Sequence, residues 1–273
     1  MIRGGRASRR ASPKYSSAGA SLSQNHESPF SHEPLATEKP DMPYPIRAVV
    51  FDLDGLMFDT EALFVRVSSE MLAARGKQFT PEIMRAMIGR RAADAGHVLK
   101  TMTGLAEPLE VLLADVRQRF YDQMDTAVHP TPGLFTLLDH LHRKSLPLAV
   151  ATSSRRSYAQ RLLDRHRLSD RFQFILSAED VTKGKPDPEI YNIAVQRFAV
   201  PARSVLILED SPAGIAAGKA AGGFVVGIPH EHSPADALGQ PDLIVPRLDD
   251  PKVLSMLEPS EFLSGETRPD PVS

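Results

Sequence analysis

Cysteine is absent from the 273-residue chain, which removes disulfides, iron–sulfur clusters, thiolate zinc sites and a cysteine nucleophile from consideration. The absence does not fix a compartment, because a chain without thiols is indifferent to redox state. No apolar run approaches the ~20 residues that span a bilayer. An excess of either charge is also missing: 32 Lys and Arg stand against 34 Asp and Glu, a net charge of −2. That balance offers no electrostatic footprint for nucleic acid or for an anionic membrane. What is present is an ordinary globular composition, 42% hydrophobic and 24% charged, with enough chain to bury a sizeable core. Chemistry in such a protein falls to Asp, Glu, Ser, Thr, Lys or His.

Residues 1–44 differ in character from the central part of the chain. They are rich in Ser and Pro, hold no acidic residue before Glu27, and are basic at Arg3, Arg6, Arg9, Arg10 and Lys14. Such a stretch buries too little apolar surface to offset chain entropy and is expected to be disordered. Its Arg/Ser-rich start resembles an organelle transit peptide; a dispensable tail, or a true start at Met42, is the simpler expectation. Residues 258–273 read as a second tail.

Between the tails, short apolar runs alternate with helical patterns. Strands are predicted at 46–51 (IRAVVF), 147–151 (PLAVA), 172–176 (FQFIL), 204–208 (SVLIL), 223–227 (GFVVG) and 242–245 (DLIV). Continuous rather than alternating apolar runs predict a parallel sheet covered on both faces. Asp187-Pro188 and Ser211-Pro212 are helix starts, the first followed by a stripe of Ile190, Ile193, Ala194 and Phe198. The expectation is a doubly wound α/β fold. About 95 residues separate the first strand from the second, against the ~30 of an ordinary βαβ unit. Leu63, Val67 and Met71 share a helical face up to Gly76, Pro81 opens another helix, and 109–124 makes a third. A helical segment over 60–129 is therefore expected to be inserted in a core of 45–59 and 130–257, with Pro130, Pro132 and Gly133 as its return.

The first strand ends in Asp52-Leu53-Asp54-Gly55. Ligands in open α/β sheets bind beyond the carboxyl ends of strands. An i, i+2 spacing in extended chain puts both carboxylates on one side. Two nearby carboxylates repel, which raises a pKa or demands a cation. A surface Asp-Gly turn is the bland alternative; a calcium loop fails because Leu56 stands where such loops want Asp or Asn. The other strand ends add weight. Thr152, Ser153 and Ser154 follow the second strand, Lys185 lies in a loop before a helix, and Glu209-Asp210-Ser211 closes the fourth strand.

Four segments in this order resemble the haloacid dehalogenase superfamily, in the branch with a helical cap that includes β-phosphoglucomutase-like proteins and sugar-phosphate phosphatases. They are Phe-Asp-Leu-Asp-Gly-Leu-Met-Phe-Asp-Thr-Glu at 51–61, Ala-Thr-Ser-Ser at 151–154, Gly-Lys-Pro-Asp-Pro at 184–188, and Leu-Glu-Asp-Ser-Pro-Ala-Gly at 208–214. The resemblance covers all but the tails and implies a Rossmann-like core. It implies that Asp52 is a nucleophile that becomes an aspartyl-phosphate, and that Asp54 is the acid and then the base. Thr152 and the Ser153 amide would hold the phosphoryl group, and Lys185 would neutralise it. Mg²⁺ would be held by Asp52, the Asp54 backbone carbonyl and Asp210, with Glu209 directly or through water, an all-oxygen set suited to that ion.

Family members that cleave carbon–halogen bonds lack the second acid, so Asp54 points to phosphoryl transfer. A phospho-Asp receiver switch would carry its acceptor at a later strand and lack so long an insertion. Arg90 and Arg91 either reach a second anionic or hydroxyl-rich group of the substrate or form a solvated pair; Ser154 and Arg155 are further substrate-facing candidates. The mutase subgroup places a His where this chain has Phe64, which favours hydrolysis over the mutase outcome. His230-Glu-His232 has no third ligand and reads as a surface loop. The expectation is a cytoplasmic, monomeric, Mg²⁺-dependent phosphatase of a small phosphorylated metabolite, with no nucleic-acid or membrane partner.

Overall fold

The computed structural model describes residues 44–87 and 92–258. The expectations for residues 1–43 and 259–273, and for Arg90 and Arg91, lie outside the described residues. All six predicted strands form: β1 (Ala48–Phe51), β2 (Leu148–Ala151), β3 (Phe174–Leu176), β4 (Val205–Glu209), β5 (Phe224–Gly227) and β6 (Leu243–Ile244). They make one parallel sheet in the order β3-β2-β1-β4-β5-β6. The chain winds outward from β1 in one direction and from β4 in the other. The crevice of such a sheet therefore opens at the carboxyl ends of β1 and β4.

Burial explains why the strands carry unbroken apolar runs. Val49 and Phe51 enter one core cluster, with Leu137, Leu141, Leu162 and Val253. Ala48 and Val50 enter the other, with Ile190, Tyr191, Ala194 and Ile215. Successive side chains leave opposite faces of a strand, and here both faces are covered. The covering helices are α5 (Leu134–Arg143), α6 (Arg156–Arg165), α7 (Glu189–Phe198), α8 (Pro212–Ala220) and α9 (Pro251–Met256). Ser211 caps α8 by accepting from Gly214 N at 3.0 Å, with Pro212 in the first turn. At α7 the helix starts one residue later than Asp187-Pro188 suggests; Asp187 still accepts from Glu189 N at 3.1 Å.

Four helices fill the long connection: α1 (Glu61–Ala73), α2 (Pro81–Met87), α3 (Ala92–Thr103) and α4 (Leu109–Ala127). Leu63, Val67 and Met71 are all buried, as their spacing requires. α4 runs three residues past the expected end. α3 was not among the expected helices, although Ala95, Val98 and Leu99 turn to a shared apolar cluster. The helices share an apolar cluster that includes Met71, Leu72, Ile83, Met87, Leu99 and Leu112. Phe64 packs against that cluster. Arg75 at the end of α1 ties the bundle together, donating to Glu107 at 2.8 Å and Asp115 at 2.7 Å. The two chain crossings between these helices and the sheet lie side by side, with Asp59 N donating to His129 O at 2.9 Å. Among the described residues no helix is long and apolar enough to cross a membrane.

Candidate active site

Asp52 is the first residue beyond β1, and its N–H donates to Leu208 O of β4 at 3.0 Å. That pairing fixes its carboxylate at the mouth of the crevice. Gly55 adopts φ +83°, a left-handed conformation that glycine takes without strain. It also permits a close approach: a methyl group there would lie 2.0 Å from Asp210 Oδ2. Gly55 thus lets the β1 loop turn away while passing against the end of β4.

Three carboxylates converge. Asp52, Glu209 and Asp210 are all buried, each with an oxygen within 4.8 Å of the others. Lys185 reaches in from the loop before α7. Its ammonium donates to Asp52 Oδ1 at 2.5 Å, Glu209 Oε1 at 2.6 Å and Ala151 O at 2.9 Å, and lies over the Tyr191 ring. Burial works against this charge, but Asp52 and Glu209 outweigh it and hold the Lys185 pKa well above the ordinary value. One ammonium does not balance three acids. Burial raises the Asp52 carboxyl well above the ordinary range, with Lys185 opposing and Glu209 and Asp210 adding repulsion. Burial likewise pushes Asp210 up to about 6, against its hydrogen bond with His230.

The excess of negative charge calls for a second cation, and the donor set fits Mg²⁺. Asp210 Oδ1 is buried with no hydrogen-bond partner, the state of a carboxylate oxygen built to face an ion. Asp52, Glu209 and Asp210 supply only oxygen, the donor that hard divalent cations prefer. Glu209 differs from the other two. Its Oε1 accepts from Lys185 and from the Tyr191 hydroxyl at 2.5 Å, and its Oε2 accepts from Ser211 Oγ at 3.0 Å. Both oxygens are thus engaged in holding Lys185 and the start of α8. Gly214 is packed against this group, and a methyl there would lie 1.8 Å from Glu209 Oε1. Gly214→Ala is expected to displace Glu209, to cost about 1–3 kcal/mol as overpacking does, and to lower turnover. Denaturant unfolding and a phosphatase assay on the purified variant check both effects.

The two acids of the first strand do not share hydrogen-bond partners, although Asp54 remains near enough to add repulsion at Asp52. β1 ends at Phe51, so the loop is free to turn Asp54 elsewhere. Asp54 Oδ2 accepts from Ser154 Oγ at 2.7 Å and Thr152 Oγ1 at 3.3 Å, and its Oδ1 accepts from the Tyr158 hydroxyl at 2.7 Å. Its side chain is outside the carboxylate cluster, and only its backbone carbonyl is left as a contribution to a metal site. Thr152 is buried at the end of β2, where its N–H donates to Leu176 O of β3 at 2.9 Å. Ser153 is exposed beside it, and Arg155 stands exposed at the start of α6.

Sequence reasoning missed three residues. His230 is not part of a solvated loop: its Nε2 lies 3.0 Å from Asp210 Oδ2 and its Nδ1 3.2 Å from Glu61 Oε2. β5 carries the chain to the same end of the sheet, so the loop after it folds back over Asp210. Tyr191 and Tyr158 each occupy an apolar helix face and read as core. Only the hydroxyl on each ring, which when buried must find a partner, hinted otherwise.

The profile of the haloacid dehalogenase-like hydrolases matches residues 49–228, and the chain belongs to that family. It is 33% identical over 192 residues to (DL)-glycerol-3-phosphatase 2 of Arabidopsis thaliana, across 67% of this chain and 80% of that protein. It is 31% identical over 202 residues to validoxylamine A 7'-phosphate phosphatase of Streptomyces hygroscopicus subsp. limoneus, across 73% of this chain and 92% of that one. Among solved structures, a HAD family hydrolase of Deinococcus radiodurans R1 with bound phosphate and sodium superposes with a TM-score of 0.64 at 28% identity, covering 74% of this chain and 91% of that one.

Proposed function

We propose that this hydrolase removes the phosphate from a small hydroxylated metabolite, a sugar or polyol phosphate, through a covalent intermediate on Asp52. The observation that carries the reading is the placement of Asp52: beyond β1, in contact with Lys185, beside a buried Asp210 oxygen that lacks a partner. The phosphatase names of the relatives support the substrate class.

In the first half-reaction an Asp52 oxygen forms a bond to phosphorus while the bond from phosphorus to the alcohol oxygen breaks. Asp54 gives its proton to that departing oxygen. In the second half, Asp54 takes a proton from water, the water oxygen bonds to phosphorus, and the bond to Asp52 breaks. Splitting the displacement in two is the gain of a covalent route. Lys185, held charged by the surrounding acids, and the Thr152 hydroxyl with the Ser153 amide face the phosphoryl oxygens. Asp52, Asp210 and the Asp54 backbone carbonyl would hold Mg²⁺, with Glu209 behind them and reaching it through water. The ion supplies positive charge against the phosphate and the acids when bound.

Phe64 supports hydrolysis over isomerisation. It packs with the apolar cluster of the inserted helices and provides no imidazole to steer Asp54 toward a second transfer. The test is a panel of sugar and polyol phosphates with free phosphate and isomerised product both measured. Phosphate release that disappears when Mg²⁺ is chelated and returns on its addition is expected. Isomer without phosphate, or turnover indifferent to chelation, overturns the reading.

A further inference from the structure

The partners of Asp54 are unusual in one respect: all three are hydroxyls. Tyr158 donates to Oδ1 at 2.7 Å, Ser154 to Oδ2 at 2.7 Å and Thr152 to Oδ2 at 3.3 Å. A lysine, an arginine or a backbone N–H can only donate, and so would favour the ionised carboxyl alone. A hydroxyl rotates and both donates and accepts, so it keeps its partner whether the carboxyl is charged or protonated. An acid that must lose a proton and regain it needs such a setting if it is to stay in place.

Tyr158 is the member of this set that reaches the inserted helices. It is buried at 8% exposure on α6, and its ring packs against Phe120 and Tyr121 of α4, with centroids 5.9 and 6.2 Å away. The same two helices are joined by Arg161, whose Nη2 donates to Asp125 at 2.7 Å. A buried tyrosine needs a partner for its hydroxyl, and here that partner is a carboxylate of the reaction centre, with the ring clamped by the inserted helices.

We propose that Tyr158 is the positioning residue of Asp54. Its hydroxyl holds the acid–base carboxyl in one place through both half-reactions, and its ring makes that place depend on how α4 is seated. The inference rests on the reading of Asp54 as the general acid, so its test must separate the two.

Leaving-group dependence makes that separation. The specificity constant kcat/KM of a two-step displacement reports events up to departure of the alcohol. An alkyl alcohol needs a proton to leave, whereas p-nitrophenolate leaves without one. Tyr158→Phe keeps the ring and removes the hydroxyl. It is expected to lower kcat/KM for glycerol 3-phosphate about tenfold, less than the ~100-fold that a full 1 Å misplacement costs because Ser154 and Thr152 still hold Asp54, and to change that for p-nitrophenyl phosphate by less than about threefold. A purely structural role would lower both alike, and equal losses, or none, overturn the proposal. Asp54→Asn is the control, with an alkyl loss exceeding the aryl loss by about 100-fold. If Asp54→Asn fails to discriminate, the reading of Asp54 falls and the role of Tyr158 with it. If it discriminates and Tyr158→Phe does not, only the Tyr158 inference is overturned. Should Tyr158→Phe not fold, Phe120→Leu loosens the seat of the Tyr158 ring without touching Asp54. The same alkyl-selective loss, smaller in size, is then expected, and equal alkyl and aryl behaviour counts against the proposal.

Discussion

Asp52→Asn is expected to reduce turnover of every phosphate ester by about 10⁴-fold or more, the scale on which removal of a covalent nucleophile acts. The amide has nearly the shape of the carboxylate, and its oxygen still accepts from Lys185, so the fold should persist. What disappears is the anionic oxygen proposed to bond to phosphorus. The variant also removes one of three crowded acids, with burial and repulsion pushing Asp52 and Asp210 toward protonation. The stability cost is therefore small: loss of an ion pair to Lys185 is offset by relief of repulsion from Glu209 and Asp210. Circular dichroism and thermal unfolding would show an intact protein while phosphate release falls to background. A variant retaining more than about a tenth of the activity would remove Asp52 from the reaction.

Lys185→Met should do more damage to the fold than any other change at the site. The Lys185 side chain is 5% exposed, against 10% for Asp52 and 0% for Glu209. Methionine fills much of the same volume and supplies no charge. It leaves Asp52, Glu209 and Asp210 facing one another, and Tyr191 bonded to an acid that has lost its cation. Breaking a buried ion pair from one side costs about 3–5 kcal/mol, a large part of a domain's stability of about 5–15 kcal/mol. Denaturant unfolding would register this as a lower midpoint with little change in slope. Because the excess charge is the cause, added Mg²⁺ should raise the midpoint of the variant more than that of the parent. A Lys185→Met protein as stable as the parent would contradict the electrostatic account of the cluster.

Much of this architecture was legible because each feature has a local physical signature. Strands buried on both faces must be apolar throughout, so Ala48–Phe51, Leu148–Ala151 and Val205–Glu209 stand out from sequence. Ser211 with Pro212 is a capping pattern that needs no tertiary context. Asp52, Thr152, Lys185, Glu209 and Asp210 were each ambiguous alone and informative by their shared position at strand ends. What escaped notice depends on contacts between distant segments. Tyr158 lies 104 residues from Asp54, and nothing in an amphipathic helix says which buried ring lends its hydroxyl to a carboxylate. His230 looked solvated because Pro, Ser and Asp surround it, yet the loop after β5 folds back onto Asp210. The separate partners of Asp52 and Asp54 were hidden for a related reason: they come from distant segments, Lys185 for the first and Ser154 and Tyr158 for the second.

The most direct test of covalent catalysis by Asp52 is to trap the acyl-phosphate. Enzyme mixed with excess sugar or polyol phosphate and Mg²⁺, quenched within a turnover and reduced with borohydride, converts an aspartyl-phosphate to homoserine. Peptide mass spectrometry then locates the change. The expected result is homoserine at position 52 and nowhere else, and none in Asp52→Asn. Substrate consumed with Asp52 unaltered, or the modification found at Asp54 or Asp210, would contradict the covalent role of Asp52.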